Sequence, residues 1–441
     1  MLTKIKTAIE KIAYLSEKEN KPIKIISHFD TDGITSAAIF AQALKRWKKT
    51  FSLQIVKSID EELIKSLPEN NVTVFLDLGS GSLDYLKEKK SSIFILDHHE
   101  IVQNIPKNVF MINPIIENNE PLSSAAICYL FAKSLSQKNK DLANLAIMGM
   151  VGDVLDQNIS KTYDEILKDN ETIVKRGLLV YPSTRPIDKA LEYSSYPYIP
   201  GVTGSFKGVI ELLREANIQK SNGSYRSLHE LTEKEMSNLI TAIMLRSIGK
   251  TEPSNLIGNI YLVKFHNKLE DARELSALIN ACSRMDHPEI SLGFCLGNKI
   301  LKAEAEKIYI KYKQHLIAAL KHIQEEAEKI SGKNYTIINA KEKIKDTIIG
   351  TVASIISRSP LYAEGSIIVA LAYNQDKIKV SARITGKEGH NVREILSRAI
   401  IPIGGEVGGH PKAAGCLIEK TKEAQFLQEL KKVLDIELVK V

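Results

Sequence analysis

Short apolar runs that stop at acids organise the first third of the chain. "PIKIISHFDTDG" (22–33), "NNVTVFLDLGSG" (70–81) and "SSIFILDHHE" (91–100) each set such a run against a polar turn. A run that is apolar on both faces, as at 93–96, reads as a central strand of a parallel sheet. A fourth short strand is expected in "VFMINP". Helical periods alternate with these runs: an opening helix over 3–18, then "GITSAAIFAQALKRW", "SLDYLKE", "SSAAICYLFAKSL" and "DLANLAIMGMVGDVLD". Strands that alternate with helices predict an α/β fold, here a doubly wound parallel sheet over 1–160.

The texture changes at 161–265. Turn-rich stretches ("YPSTRP", "YSSYPYIPGVTGS") separate amphipathic segments such as "GVIELLREANI" and "LTEKEMSNLITAIMLRSI", which predicts a mostly helical insertion. Small-residue helix and turn return at 266–300, as a continuation of the first domain. Residues 301–331 carry helical periodicity with charges of both signs, which predicts a long connecting helix. Strands ("YTIINA", "GSIIVALAY", "KIKVSARI") and helices ("TVASIISRS", "NVREILSRAI") then make 332–441 a smaller α/β domain.

Composition narrows the class. The 441 residues exceed one ordinary core, and 44% hydrophobic with 26% charged residues is globular. The net charge of +7 suits a polyanionic partner without demanding one. Cys128, Cys282, Cys295 and Cys416 show no CxxC spacing, so neither a zinc site nor a disulfide framework is expected, and a reducing cytoplasm is the simpler setting. No run approaches the ~20 apolar residues of a membrane span, and the N-terminus has no secretory h-region.

Four separate element ends offer acids or histidines: His28, Asp30 and Asp32; Asp77; Asp97, His98 and His99; Asp153 and Asp156. Beyond the carboxyl ends of parallel strands these groups can meet at one edge. Residues 28, 30 and 32 share a face if the strand end stays extended. Packed carboxylates repel one another unless cations join them. Two divalent cations with mixed carboxylate and imidazole ligands are expected, Mn²⁺ before Mg²⁺. Alone, Asp77 reads equally as a helix cap, Asp97 as an orienting carboxylate and Asp156 as a solvated or supporting acid. His229, His266, His287, His315, His322 and His390 have no comparable company and are given no role.

"HFDTDGITS", "LDLGSGS", "LDHHE" and "GDVLD", in that order and spacing, resemble the four core motifs of the DHH phosphoesterase superfamily. "GGHPKAAG" (408–415) resembles the glycine-rich signature of the DHHA1 domain, and "LINACSRMDHPE" the helix before the connector in RecJ-type exonucleases. The resemblance touches most of the chain and covers 161–265 least. It implies a DHH core at 1–160 and a substrate-binding DHHA1 domain at 332–441. It makes His28, Asp30, Asp32, Asp77, His98 and Asp153 metal ligands, with Asp77 the bridge. His99, supported by Asp97, would face the scissile phosphate. The pyrophosphatase and nanoRNase branches carry a histidine four residues before the first aspartate of their first motif, where this chain has Ile26, so His28 points to the archaeal RecJ-like branch.

In the second domain, glycines allow a phosphate to approach backbone N–H groups. Gly408, Gly409, His410 and Lys412 are the candidates there; the resemblance adds Arg383 of the same domain, and Arg284 of the preceding domain is a further candidate grip on a nucleic-acid backbone. The implied activity is hydrolysis of single-stranded DNA or RNA to mononucleotides in replication or repair. Two alternatives stand beside it: a phosphodiesterase of oligoribonucleotides or cyclic dinucleotides, and a scaffold that binds GINS and the replicative helicase.

Overall fold

The computed structural model describes all residues except 102, 158, 195–198, 200, 247–255, 360–361, 387–388, 406 and 438–441. It divides into two compact units, Met1–Tyr309 and Ile310–Val441.

The first unit is built on five parallel strands: β1 (Ile23–His28), β2 (Phe51–Val56), β3 (Val72–Leu76), β4 (Ser92–Leu96) and β5 (Val109–Ile112). Their order is β2-β1-β3-β4-β5. The inner strand β3 is buried at every position, as expected of a strand covered on both faces. Strand β2 has no counterpart among the sequence expectations. It is the edge strand, and its solvent-facing Ser52 and Gln54 break up the apolar run that marks the others. One apolar cluster joins Ile25, Val74 and Leu96 of the sheet to Phe40, Phe131 and Met148 of the helices; a second lies across the other face around Ile26, Phe75 and Ile95.

The insertion carries the expected helices, Lys161–Asp169, Ile187–Glu192, Phe206–Glu215 and Glu233–Arg246, and adds strands: β6 (Ile173–Leu178) and β7 (Ile257–Phe265) form an antiparallel sheet with the following β8 (Lys268–Asp271). Edge strand β6 leaves Ile173 to Arg176 exposed and so lacks a buried alternation to read, while β7 and β8 turn through His266 and Asn267, both at positive φ.

Helix Lys299–Glu325 ends short of the expected 331, because Glu328–Ser331 forms edge strand β9 on β10 (Tyr335–Asn339). Pairing along the edge overrides a helical period that the sequence carries on to Ile330. The sheet continues through β11 (Ile367–Asn374), β12 (Lys377–Ile384), β14 (Ala413–Glu419) and β13 (Val407–His410), with only β10 and β11 parallel. Helices Val392–Ile400 and Glu423–Glu437 share a core with its strands, and helix Asp346–Ser357 packs on β11 and β12. No helix of the described residues is long and apolar enough to cross a membrane.

Candidate metal centre

The strand order reverses at β1 and β3, and a doubly wound sheet forms its ligand crevice beyond the carboxyl ends of such strands. His28 is the last residue of β1, and Asp77 and Asp97 directly follow β3 and β4. Residues 28, 30 and 32 do not share one extended face. Asp30 is the N-cap of helix Thr31–Arg46 and accepts from Gly33 N at 3.0 Å, which starts the helix at once and carries Asp32 down into the buried first turn. Gly33 is required there, since a Cβ would run into the His28 carbonyl.

The side chains converge around Asp77. Its Oδ2 lies 3.4 Å from His28 Nδ1, which is 3.1 Å from Asp30 Oδ2. Its Oδ1 lies 3.4 Å from His98 Nε2, and that atom is 3.1 Å from Asp153 Oδ2 and 3.8 Å from Asp32 Oδ2. Three sets have metal-ligand spacing: His28, Asp30 and Asp77 on one side of this carboxylate, and on the other Asp32, His98 and Asp153 together with Asp77, His98 and His99. Asp77 and Asp32 are buried to 1% and 0% exposure, whereas Asp30 and His99 keep 34% and 43%, so the cluster has a closed floor and an open rim.

The surrounding backbone holds these acids in place. Both Asp32 oxygens accept N–H bonds from the first turn of helix Ser124–Leu135, Ser124 N at 2.6 Å and Ala125 N at 2.9 Å, and Ser124 Oγ donates to Asp77 Oδ1 at 3.1 Å. Gly149 admits this packing, for a Cβ there would stand 2.5 Å from Asp32 Oδ1. Asp153 caps the end of helix Ala143–Gly152. The next residue, Val154, has φ 58°, a strained left-handed conformation for a β-branched side chain. Asp77 itself sits at φ 60°. Asp97 is saturated otherwise: it accepts from Ser80 N (2.9 Å), His98 N (2.8 Å) and His99 N (3.3 Å), and pairs with His99 Nδ1 at 2.7 Å. Its contacts orient the two histidines. Ser124, Gly149, Ser80 and Asn113, which donates to His99 O at 2.9 Å, were not among the expected site residues. Only the serine pair ahead of an apolar helix gave a readable sign, as an N-cap signal.

Burial governs the electrostatics. It raises Asp32 to about 7, helped by Asp77, and lifts Asp153 well above the ordinary carboxyl range, with Asp32 and Asp77 adding to the effect. Burial would lower both histidines, but Asp30 and Asp77 hold His28 well above its ordinary value, and Asp77 holds His98 at about 9. Burial would likewise raise Asp77 and Asp97. His28 and His98 instead keep Asp77 well below its usual range, and His99 keeps Asp97 at about 2. Protons on histidine thus serve as the counter-charges to the buried acids.

The donor set fits divalent cations. His28 Nδ1, Asp77 Oδ2 and Asp153 Oδ2 are buried and charge-paired at 3.1–3.4 Å, but none of these contacts has hydrogen-bond geometry, an expense proteins avoid unless another group satisfies the atoms. Oxygen-rich ligation with imidazole suits Mn²⁺ or Mg²⁺.

Three family models match in series: the N-terminal domain of the DHH family at 22–150, the DHH-CID domain at 181–261 and the DHHA1 domain at 332–435. The chain belongs to the DHH/DHHA1 superfamily. An uncharacterized protein of Methanocaldococcus jannaschii is 28% identical, over 94% of each chain. The fold is similar to RecJ of Thermus thermophilus in complex with Mn²⁺ (TM-score 0.60, 18% identity), which matches 96% of this chain; the match spans about half (54%) of that longer protein. It is also similar to CDC45 of Entamoeba histolytica (TM-score 0.65, 12% identity, 98% and 99% of the two chains) and to another exonuclease RecJ bound to manganese (TM-score 0.58, 17% identity, 96% and 92%).

In the DHHA1 unit, Gly408, Gly409 and His410 form the exposed β13 arm of a hairpin, and Lys412 is exposed in its turn. Arg383 lies on β12 with its guanidinium engaged: Nε donates to Ser354 Oγ at 2.8 Å and one terminal nitrogen to Ala382 O at 2.8 Å. Arg284, the last residue of helix Ala272–Arg284, belongs to the DHH-bearing unit.

Proposed function

We propose that this chain is a metal-dependent phosphodiesterase of the RecJ-like type that removes nucleotides from an end of single-stranded DNA or RNA. The position of Asp77 between two ligand sets carries this reading, for a shared carboxylate is what a paired-cation site requires. His28 and Asp30 would hold one cation, Asp32, His98 and Asp153 the other, with Asp77 common to both. Bound Mn²⁺ or Mg²⁺ would supply Lewis acidity toward a phosphate oxygen and its attacking water. His99 is fixed through Nδ1 on Asp97, which leaves Nε2 away from that bond, and although burial would lower its pKa, Asp97 raises it above the ordinary histidine value. His99 would donate to a phosphoryl oxygen as charge builds. The DHHA1 hairpin would take the backbone of the strand through glycine N–H groups, which position a strand without reading its bases.

The test is digestion of end-labelled single-stranded DNA and RNA with Mn²⁺. Release of mononucleotides by the wild type and none by Asp77→Ala is expected; absence of Mn²⁺-dependent release from a wild type that binds Mn²⁺ overturns the reading. A second reading, a replication scaffold that binds GINS, draws on the full-length likeness to CDC45. Every acid of the cluster is present in this chain, so a scaffold role would accompany nuclease activity. Pull-down against GINS tests it separately.

A further inference from the structure

Phe29 stands in the loop between His28 and Asp30 and is only half-buried. Its ring meets the His28 imidazole edge-on, with centroids 5.0 Å apart and planes at 81°. Among the described residues, it is not one of the side chains that build or pack against the apolar clusters around Ile25, Leu178 and Ile26. The neighbours on either side, His28 at 22% and Asp30 at 34% exposure, mark the open rim of the cluster, while Asp32 and Asp77 form the floor. A large apolar ring left partly in water forgoes much of the stabilisation that burial gives. The loop is nevertheless pinned on its far side, where Thr31 N donates to Asn280 Oδ1 (3.2 Å) and Thr31 Oγ1 to Ser276 O (3.0 Å). Phe29 is therefore presented by a fixed backbone, and a preorganised aromatic face binds at low entropic cost.

We infer that Phe29 is the platform on which the nucleobase beside the scissile phosphate stacks. The inference rests on the phosphodiesterase reading and extends it: the site recognises a base as well as a phosphodiester. Cations held by the acidic floor would draw the anionic oxygens, and the apolar π-face at the rim suits the planar group carried by the same nucleotide. Every base has such a face, so the contact discriminates base from no base without choosing among bases. The alternative, that Phe29 only shields His28 from water, asks for apolar bulk and not for a ring.

Two variants of the full chain separate these roles: Phe29→Leu keeps the bulk, and Phe29→Tyr keeps the ring. One oligonucleotide ends in 2-aminopurine and the other in an abasic nucleotide. Fluorescence quenching with Ca²⁺ as the cation reads stacking, and hydrolysis with Mn²⁺ reads turnover. Phe29→Leu is expected to lose the quench and to raise KM for the base-bearing end by about tenfold to a hundredfold, with kcat little changed. Phe29→Tyr should match the wild type, and all three should cleave the abasic end alike. Equal behaviour of the Leu and Tyr variants, or loss of Mn²⁺ affinity in Phe29→Leu, overturns the inference in favour of shielding. Failure of the wild type to cleave either oligonucleotide while the ring-dependent quench persists overturns the hydrolase reading alone.

Discussion

The parallel sheet of the first unit ends in a wall of acids, with Asp32 and Asp77 at 0% and 1% exposure, whereas the hairpin of the second unit ends in exposed glycines, one histidine and one lysine. Both are proposed contacts to the same polyanion, and they would meet it with opposite electrostatics. Buried acids repel a phosphate until cations join them, and they burden the fold in the meantime. Exposed backbone N–H groups carry no such charge, but they need left-handed backbone, which Gly409 supplies at φ 114°. Damage at the first region should therefore register in metal binding, and damage at the second in strand binding alone.

The largest effect is expected at the shared carboxylate. Asp77→Ala should lower hydrolysis on the order of 10³-fold or more and abolish the Mn²⁺-induced rise in melting temperature. Retention of that rise would mean that Asp77 does not join the two ligand sets.

The pH dependence sharpens the same contrast. Without metal, the folded chain keeps protons that the unfolded chain releases, on Asp32 between 3.8 and about 7 and on His98 between 6.5 and about 9. Stability of the metal-free protein should fall as pH rises through that range. Asp97, held at about 2, acts in the opposite sense: its contribution is present above the ordinary carboxyl value and lost as pH falls toward 2. Cations must displace the protons they replace. Melting curves between roughly pH 5 and 9 are expected to slope downward in EDTA and to flatten or rise in saturating Mn²⁺. Equal slopes would show that protons and cations do not compete for this cluster.

A smaller loss is expected at Asp97, whose bonds fix the two histidines. Asp97→Asn should lower kcat/KM by about ten- to a hundredfold, with Mn²⁺ affinity reduced less than in Asp77→Ala. Titration of Mn²⁺ beside steady-state kinetics checks the split.

The acids were legible in the sequence because each ends an apolar run, and strand ends in a parallel sheet share an edge. How they converge was not. The expected extended face through residues 28, 30 and 32 is replaced by a helix that begins at Thr31, since a side-chain cap three residues ahead of Gly33 competes with continued strand. Gly149 and Val154 had no sequence signature, because close approach to Asp32 and a left-handed turn beside Asp153 arise only from packing. In the insertion, β6 was hidden for the reason that exposes it: an edge strand with four open positions carries no buried period.

The smallest expected effect tests the second region by itself. Gly409→Ala places a Cβ against the Ala413 carbonyl of the partner strand and imposes a side chain on φ 114°. Strain of that kind costs about 1 kcal/mol or more, so the hairpin should loosen and strand affinity fall about five- to tenfold. Gly408 has open space where a Cβ would stand, so Gly408→Ala alters the same surface without that strain and is expected to bind strands more nearly as the wild type does. In neither variant should Mn²⁺ affinity change, because every residue of the ligand cluster lies in the other unit. Fluorescence anisotropy with a labelled single strand, beside Mn²⁺ titration, reads both. A Gly409→Ala protein that loses Mn²⁺ affinity along with strand affinity would show that the two regions are not separable, and the division of labour between acids and glycines would fail with it.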